Sequence, residues 1–187
     1  MSNARFVLRT TVFTLAAVVV VYFAVGAILA DHWDVSTTRV IEARPAEVAR
    51  LVRDLRQWPE WSALQLELGK PTTHEIEGEA GAVGQRQTWR GPMGTGTLEL
   101  TRIAEGAVDY RFAYRFGPGE NPNGGQTSGS ITWRADPDGC RVSWSEHGEL
   151  GSWIARWSGW FGHVQEAVKR VQGASLEGLS EAIRRSR

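Results

Sequence analysis

The chain has 187 residues, of which 21 are basic and 21 acidic, so its formal charge is zero and it carries no basic excess of the kind that marks a nucleic-acid binder. One cysteine, Cys140, excludes a disulfide within the chain and argues against a cysteine-based zinc site. Nine tryptophans are many for this length and imply a large aromatic-lined interior. In chain order, Met1 to Thr10 is a short polar flank with Arg5 and Arg9. Thr11 to Ala30 follows without a single charge. Its length corresponds to roughly 30 Å of helix, about one hydrocarbon thickness. Two readings of 11–30 stand: a retained transmembrane anchor, or a signal peptide cut near Val25-Gly26-Ala27. The length of the apolar run favours the anchor. Arg5 and Arg9 before the span, with Asp31 and Asp34 after it, put the N-terminus in the cytoplasm and residues 31–187 outside it, at the cell membrane. Arg39 and Arg44, also close to the span, pull the other way.

Val35 to Glu42 is rich in Val, Thr and Ile and predicts a first strand, stopped by Arg44-Pro45. Pro45 suits the first turn of a helix, and Val48, Leu51, Val52 and Leu55 recur at helical spacing as far as Gln57. Trp58-Pro59-Glu60-Trp61 is an aromatic turn that can open a second short helix. Gly69 to Gly84 is polar, with one short strand at Thr73 to Glu77. Four strands follow, at Val83–Trp89, Gly96–Ile103, Val108–Phe116 and Gly129–Ala135, and a last one at Cys140–His147 after the tight turn Asp136-Pro137-Asp138-Gly139. Strict alternation along them means one buried and one wet face, as in an antiparallel sheet. Gly117 to Gly129 lacks an apolar anchor and is expected to be a mobile loop. Finally Trp153, Trp157, Trp160, Val164, Val168 and Val171 line one face of a long helix, Ser152 to Arg185, which Gly159 and Gly162 can divide. The expected architecture is α+β: a curved antiparallel sheet around a long C-terminal helix, with one N-terminal membrane helix.

Val40-Ile41-Glu42-Ala43-Arg44-Pro45-Ala46-Glu47-Val48, then Asp54 and Trp58-Pro59-Glu60-Trp61, resemble the opening of the polyketide cyclase/dehydratase-like branch of the START-like (SRPBCC) superfamily. Gly139 to Glu146 resembles its last strand, and Leu176-Glu177-Gly178-Leu179 the close of its final helix. The likeness covers about 35–183. It implies the helix-grip fold and a cavity between sheet and helix for an apolar small molecule or lipid, without a cofactor. Some relatives catalyse cyclisation or dehydration, but no shared catalytic motif transfers onto this chain.

Candidate cavity residues are Trp58, Trp61, Gln87, Trp89, Tyr110, Phe112, Tyr114, Trp133, Trp144, Glu146, Trp160 and Val164. Trp58 and Trp61 could gate the cavity or simply plug the core. The aromatic stripe could be a cavity wall or solid core. Gln85 and Gln87 could supply hydrogen bonds inside it. Glu146, on the face of Trp144, is the one weak catalytic candidate: a carboxylate in an apolar wall can act as acid or base, but a strand end reaching water is the plainer reading. His32, His74, His147 and His163 show no metal-binding spacing, so no metal is expected. No nucleophile elbow occurs. Gly91 to Gly96 lacks the context of a phosphate loop and is expected to be a hairpin turn. Trp153, Trp157 and Trp160 with Arg156 could touch lipid headgroups or simply pack the final helix. Three functions are thus open: a membrane-anchored binder of a hydrophobic small molecule or lipid, a cofactor-free cyclase/dehydratase, or a membrane-linked interaction module with a filled cavity.

Overall fold

Alternating β-branched and aromatic residues build seven antiparallel strands in the computed structural model, which describes residues 2–64, 73–91, 94–116 and 124–187. These are β1 (His32–Ile41), β2 (Thr73–Glu77), β3 (Arg86–Gly91), β4 (Gly94–Ala104), β5 (Ala107–Phe116), β6 (Gly124–Asp136) and β7 (Gly139–Glu149), in the sheet order β1-β7-β6-β5-β4-β3-β2. The helices are α1 (Ser2–Ile28), α2 (Pro45–Val52), α3 (Trp153–Trp160) and α4 (His163–Arg185), with a 3-10 turn at Trp58–Glu60. The arrangement is the helix-grip fold. Gly91 pairs with Gly94 at the facing ends of β3 and β4, the residues between them lying outside the described ones, and a tight turn joins β6 to β7, where Asp136 pairs with Gly139, whose φ of 133° suits only glycine.

α4, about 35 Å long, lies across β1 and touches α2 and the 3-10 turn. Its buried face is Gln172, Ser175, Leu176, Leu179, Ala182 and Ile183. Leu176, Leu179 and Ile183 are essentially inaccessible, and burial of each contributes about 1.5–3 kcal/mol. Gly178 lets α4 approach closely: a Cβ there would sit 2.4 Å from the Trp61 carbonyl oxygen.

Several boundaries differ from expectation. α1 begins at Ser2, so the polar flank is helical, and its stretch Phe6–Ile28 is long and apolar enough to cross a membrane. α2 ends at Val52, not Gln57, because side chains take over the following turn. Gln85 Oε1 accepts from Leu55 N–H (3.0 Å), Gln85 Nε2 donates to Asp54 (2.6 Å), and Asp54 accepts from Arg56 N–H (3.1 Å). Gln85 is therefore a clamp between α2 and the start of β3. Val83 is exposed in a turn shaped by the positive φ of Gly81 and Gly84, so β3 begins later than Val83. Of the expected loop, 124–129 is strand, while 117–123 lies outside the described residues. The final helix does divide, at Gly162 (φ 76°).

The largest correction concerns the Trp stripe. Trp153 and Trp157 do not continue the core face of α4; they pack on α1. Tyr22 stacks on Trp157 (centroids 5.0 Å, 8° between planes) and Phe23 lies 4.6 Å from Trp153. Trp160 is 68% exposed, and Val164 and Val168 pack with Trp33, Val35 and Leu150 in a separate small cluster.

Candidate functional site

The inner face of β5, β6 and β7, opposite α4, is apolar except at one place. Register puts Tyr110, Gly129 and Glu146 side by side across the three strands. Gly129 is the reason they communicate. A Cβ at this position would come 2.1 Å from Tyr110 Cζ, so the ring lies flat over the glycine and reaches toward β7. There the Tyr110 hydroxyl accepts a hydrogen bond from Trp144 Nε1 (2.7 Å) and faces the Glu146 carboxylate. Thr127 Oγ1 donates to Glu146 Oε1 (2.7 Å). From above, the Gln172 amide approaches the carboxylate and favours its charged form. Neither amide atom of this 1% exposed side chain forms a hydrogen bond among the described residues.

Burial pushes the Glu146 carboxyl above its ordinary value of 4.5, and the hydrogen bond from Thr127, the facing Tyr110 hydroxyl and the nearby Gln172 amide offset this only in part. Burial first, and the Glu146 charge second, push the Tyr110 hydroxyl well above 10. A carboxyl with a raised folded-state value stabilises the protonated fold. Its penalty is absent below pH 4.5 and grows as pH rises through the raised value. Glu146→Gln should therefore be more stable than the parent at neutral pH, with the difference vanishing near about pH 4; urea unfolding at the two pH values measures it.

The other named residues fall into groups. Trp58 and Trp61 pack on each other and on Trp144, and their indole N–H groups donate to Val52 O (2.9 Å) and Leu51 O (3.2 Å). They thus satisfy carbonyls that the end of α2 leaves open. Trp89 lies over Gly96 and stacks on Phe112 (5.1 Å), which touches Tyr114 (5.4 Å), itself seated over Gly125. Gln87 is held at the sheet margin by His74 (3.0 Å). Trp133 is buried but pairs with Val142, four residues along β7 from Glu146. The structure brings Tyr110, Trp144 and Glu146 together, sets Trp89, Phe112 and Tyr114 beside them on the same face, and leaves Trp160 and Val164 elsewhere. Thr127 and Gln172 are the members that sequence reasoning missed. Gln172 was detectable as a polar residue four positions after Val168 and four before Leu176, inside an apolar stripe.

The outer face carries a basin of about 770 Å³ that includes Asp34, Arg102, Asp109, Ser130 and His147. Its lining shares Tyr110, Gly129 and Glu146 with the inner cluster, and its remaining charges are paired with one another: Arg102 and Ser130 donate to Asp109 (2.6 and 2.7 Å), and His147 meets Asp34 (3.0 Å). That leaves the inner cluster as the stronger candidate.

A family described as polyketide cyclase/dehydrase and lipid transport matches residues 32–184. The chain belongs to that family. Solved structures agree on the fold. A protein of Rhizobium leguminosarum superposes with a TM-score of 0.61 at 13% identity, over 83% of this chain and 96% of its own. TTHA0849 of Thermus thermophilus does so with 0.55 at 22% identity, over 82% and 99%. DynU16, a protein of the dynemicin biosynthetic locus, matches with 0.55 at 12% identity, over 81% of this chain but 47% of its own. No curated protein matches the chain. Family membership fits a ligand-binding or cyclase-like role, and at these identities the structural likeness speaks for the helix-grip fold alone.

Proposed function

We propose that the chain is a membrane-anchored binder of a hydrophobic small molecule or lipid, held between the sheet and α4 with its polar end at Glu146, Tyr110 and Gln172. α1 crosses the membrane once in this reading, with the N-terminus in the cytoplasm and the domain on the far side. One observation carries the binding site: the Gln172 amide, buried beside a carboxylate with both polar atoms unpartnered. Buried polar atoms are nearly always paired, because an unpaired one costs about 1–3 kcal/mol. A ligand hydroxyl or carbonyl at this point would satisfy the amide, while the Trp89–Phe112–Tyr114 wall would take the apolar body. An anchor beside the proposed binding site would raise the local concentration of a ligand drawn from the bilayer.

Native mass spectrometry of the full chain, released from detergent with and without added lipid extract, tests this. Retention of an apolar adduct is the expected result. Gln172→Leu should change stability little, since it removes unpaired buried polar atoms but also an amide that favours the Glu146 carboxylate. It should weaken adduct retention roughly 5- to 10-fold, the worth of about one hydrogen bond. Unaltered retention in this variant would move the polar end of the ligand away from Gln172.

The raised Glu146 carboxyl beside the Tyr110 hydroxyl favours a second reading, in which the same pair moves a proton in a cofactor-free cyclisation or dehydration. Loss of turnover in Glu146→Gln with adduct retention preserved would promote it.

A further inference from the structure

α3 and the corner that follows it have no role in the site described above, yet they form the contact between α1 and the rest of the fold. Leu150 to Gly162 reads LGSWIARWSGWFG and holds a single ionisable side chain, Arg156. That charge is turned inward: its guanidinium donates to Ala27 O at the end of α1 (3.0 Å) and to Leu150 O (3.4 Å). Beside it, Trp157 stacks on Tyr22 and packs so close to α1 that a Cβ on Gly26 would lie 2.9 Å from its Nε1. Ile154, Trp160 and Phe161 remain 61%, 68% and 62% exposed, next to an α1 surface that is itself apolar and exposed.

The helix rise turns these contacts into a depth. Tyr22 lies six residues before Ile28, or about 9 Å along the axis, and Gly26 lies closer still to that end. If α1 spans the bilayer, whatever packs on Tyr22 and Gly26 sits within the last third of a hydrocarbon layer roughly 30 Å thick. Three residues, Leu29 to Asp31, join α1 to β1, a span of about 10 Å at full extension, so the domain has no slack with which to stand away. Tryptophan and phenylalanine favour this boundary zone, and interfacial helices lie about 5–10 Å deep.

We propose that α3 and the α3–α4 corner are embedded in the outer boundary of the lipid bilayer, with Ile154, Trp160 and Phe161 in contact with lipid. This rests on α1 being membrane-spanning. The occupant is lipid rather than a second protein, because the patch continues the lipid-facing surface of α1 and its one charge is spent on backbone carbonyls. For the same reason the contact needs no anionic headgroup.

The test uses the full chain with Cys140→Ala, reconstituted in phosphatidylcholine nanodiscs. Nitroxide labels are placed singly at Phe161→Cys or Trp160→Cys, with Leu15→Cys in α1 and Glu105→Cys in the β4–β5 turn as references. Collision with oxygen and with a water-soluble nickel chelate is read by power-saturation electron paramagnetic resonance. The proposal expects oxygen to exceed nickel at 160, 161 and 15, and the reverse at 105. Nickel-accessible labels at 160 and 161 with a lipid-embedded label at 15 would overturn it and leave the anchor intact. Labels shielded from both reagents would point to a protein contact and also overturn it. Aqueous labels at 15 as well would remove the anchor and the proposal together.

Discussion

Replacing Trp58 by alanine should destabilise the fold by about 3–5 kcal/mol, among the largest single-site losses a core allows. The ring is 2% exposed, lies 5.0 Å from Trp61, 5.7 Å from Tyr110 and 6.0 Å from Trp144, and its N–H holds Val52 O. Alanine would leave a cavity under the 3-10 turn and free a carbonyl at the end of α2. Trp58→Phe keeps most of the buried area and loses the hydrogen bond, so its cost should be about 1–2 kcal/mol. Chemical unfolding of both variants separates the two contributions. A gate over a cavity would behave differently: truncation would speed ligand exchange and hardly touch the unfolding midpoint.

Gly129→Ala should cost about 3 kcal/mol, at the upper end for an overpacked core. The reason is contact, not backbone conformation, since Gly129 is absent from the positive-φ glycines. One added methyl would overlap the Tyr110 ring, and the ring has no free side to yield toward: Trp58 stands edge-on at 5.7 Å and Trp144 at 6.3 Å. The same displacement would withdraw the Tyr110 hydroxyl from Trp144 and Glu146. In a Tyr110→Leu background the methyl should meet little resistance. A double-mutant cycle should accordingly show coupling of about 2–3 kcal/mol. Independent effects at the two positions would mean that the ring does not rest on the glycine.

The strands were legible wherever alternation was strong. β5 shows this best: Val108, Tyr110 and Phe112 are buried between Asp109, Arg111 and Ala113, and Asp136 to Gly139 turns the chain as its sequence demands. The first half of β6 was illegible for a physical reason. Its inward positions carry Gly125, Thr127 and Gly129 because neighbouring rings occupy the space above the two glycines, so the strand lacks the apolar alternation that would betray it. The Trp stripe failed differently. Periodicity identifies residues that share a face and says nothing about which surface covers them, and here two apolar partners, sheet and α1, were on offer. The Glu146–Tyr110 pairing lay equally out of reach, because it depends on register across three strands.

The sheet is open, and its two margins are guarded by different means. At one side α4 lies across β1. At the other, β2 offers only five residues, and two of them are Glu75 and Glu77. Two copies meeting there edge to edge would bring carboxylates together along the ladder. A short acidic margin of this kind resists intermolecular strand addition and so protects the chain from sheet-driven polymerisation.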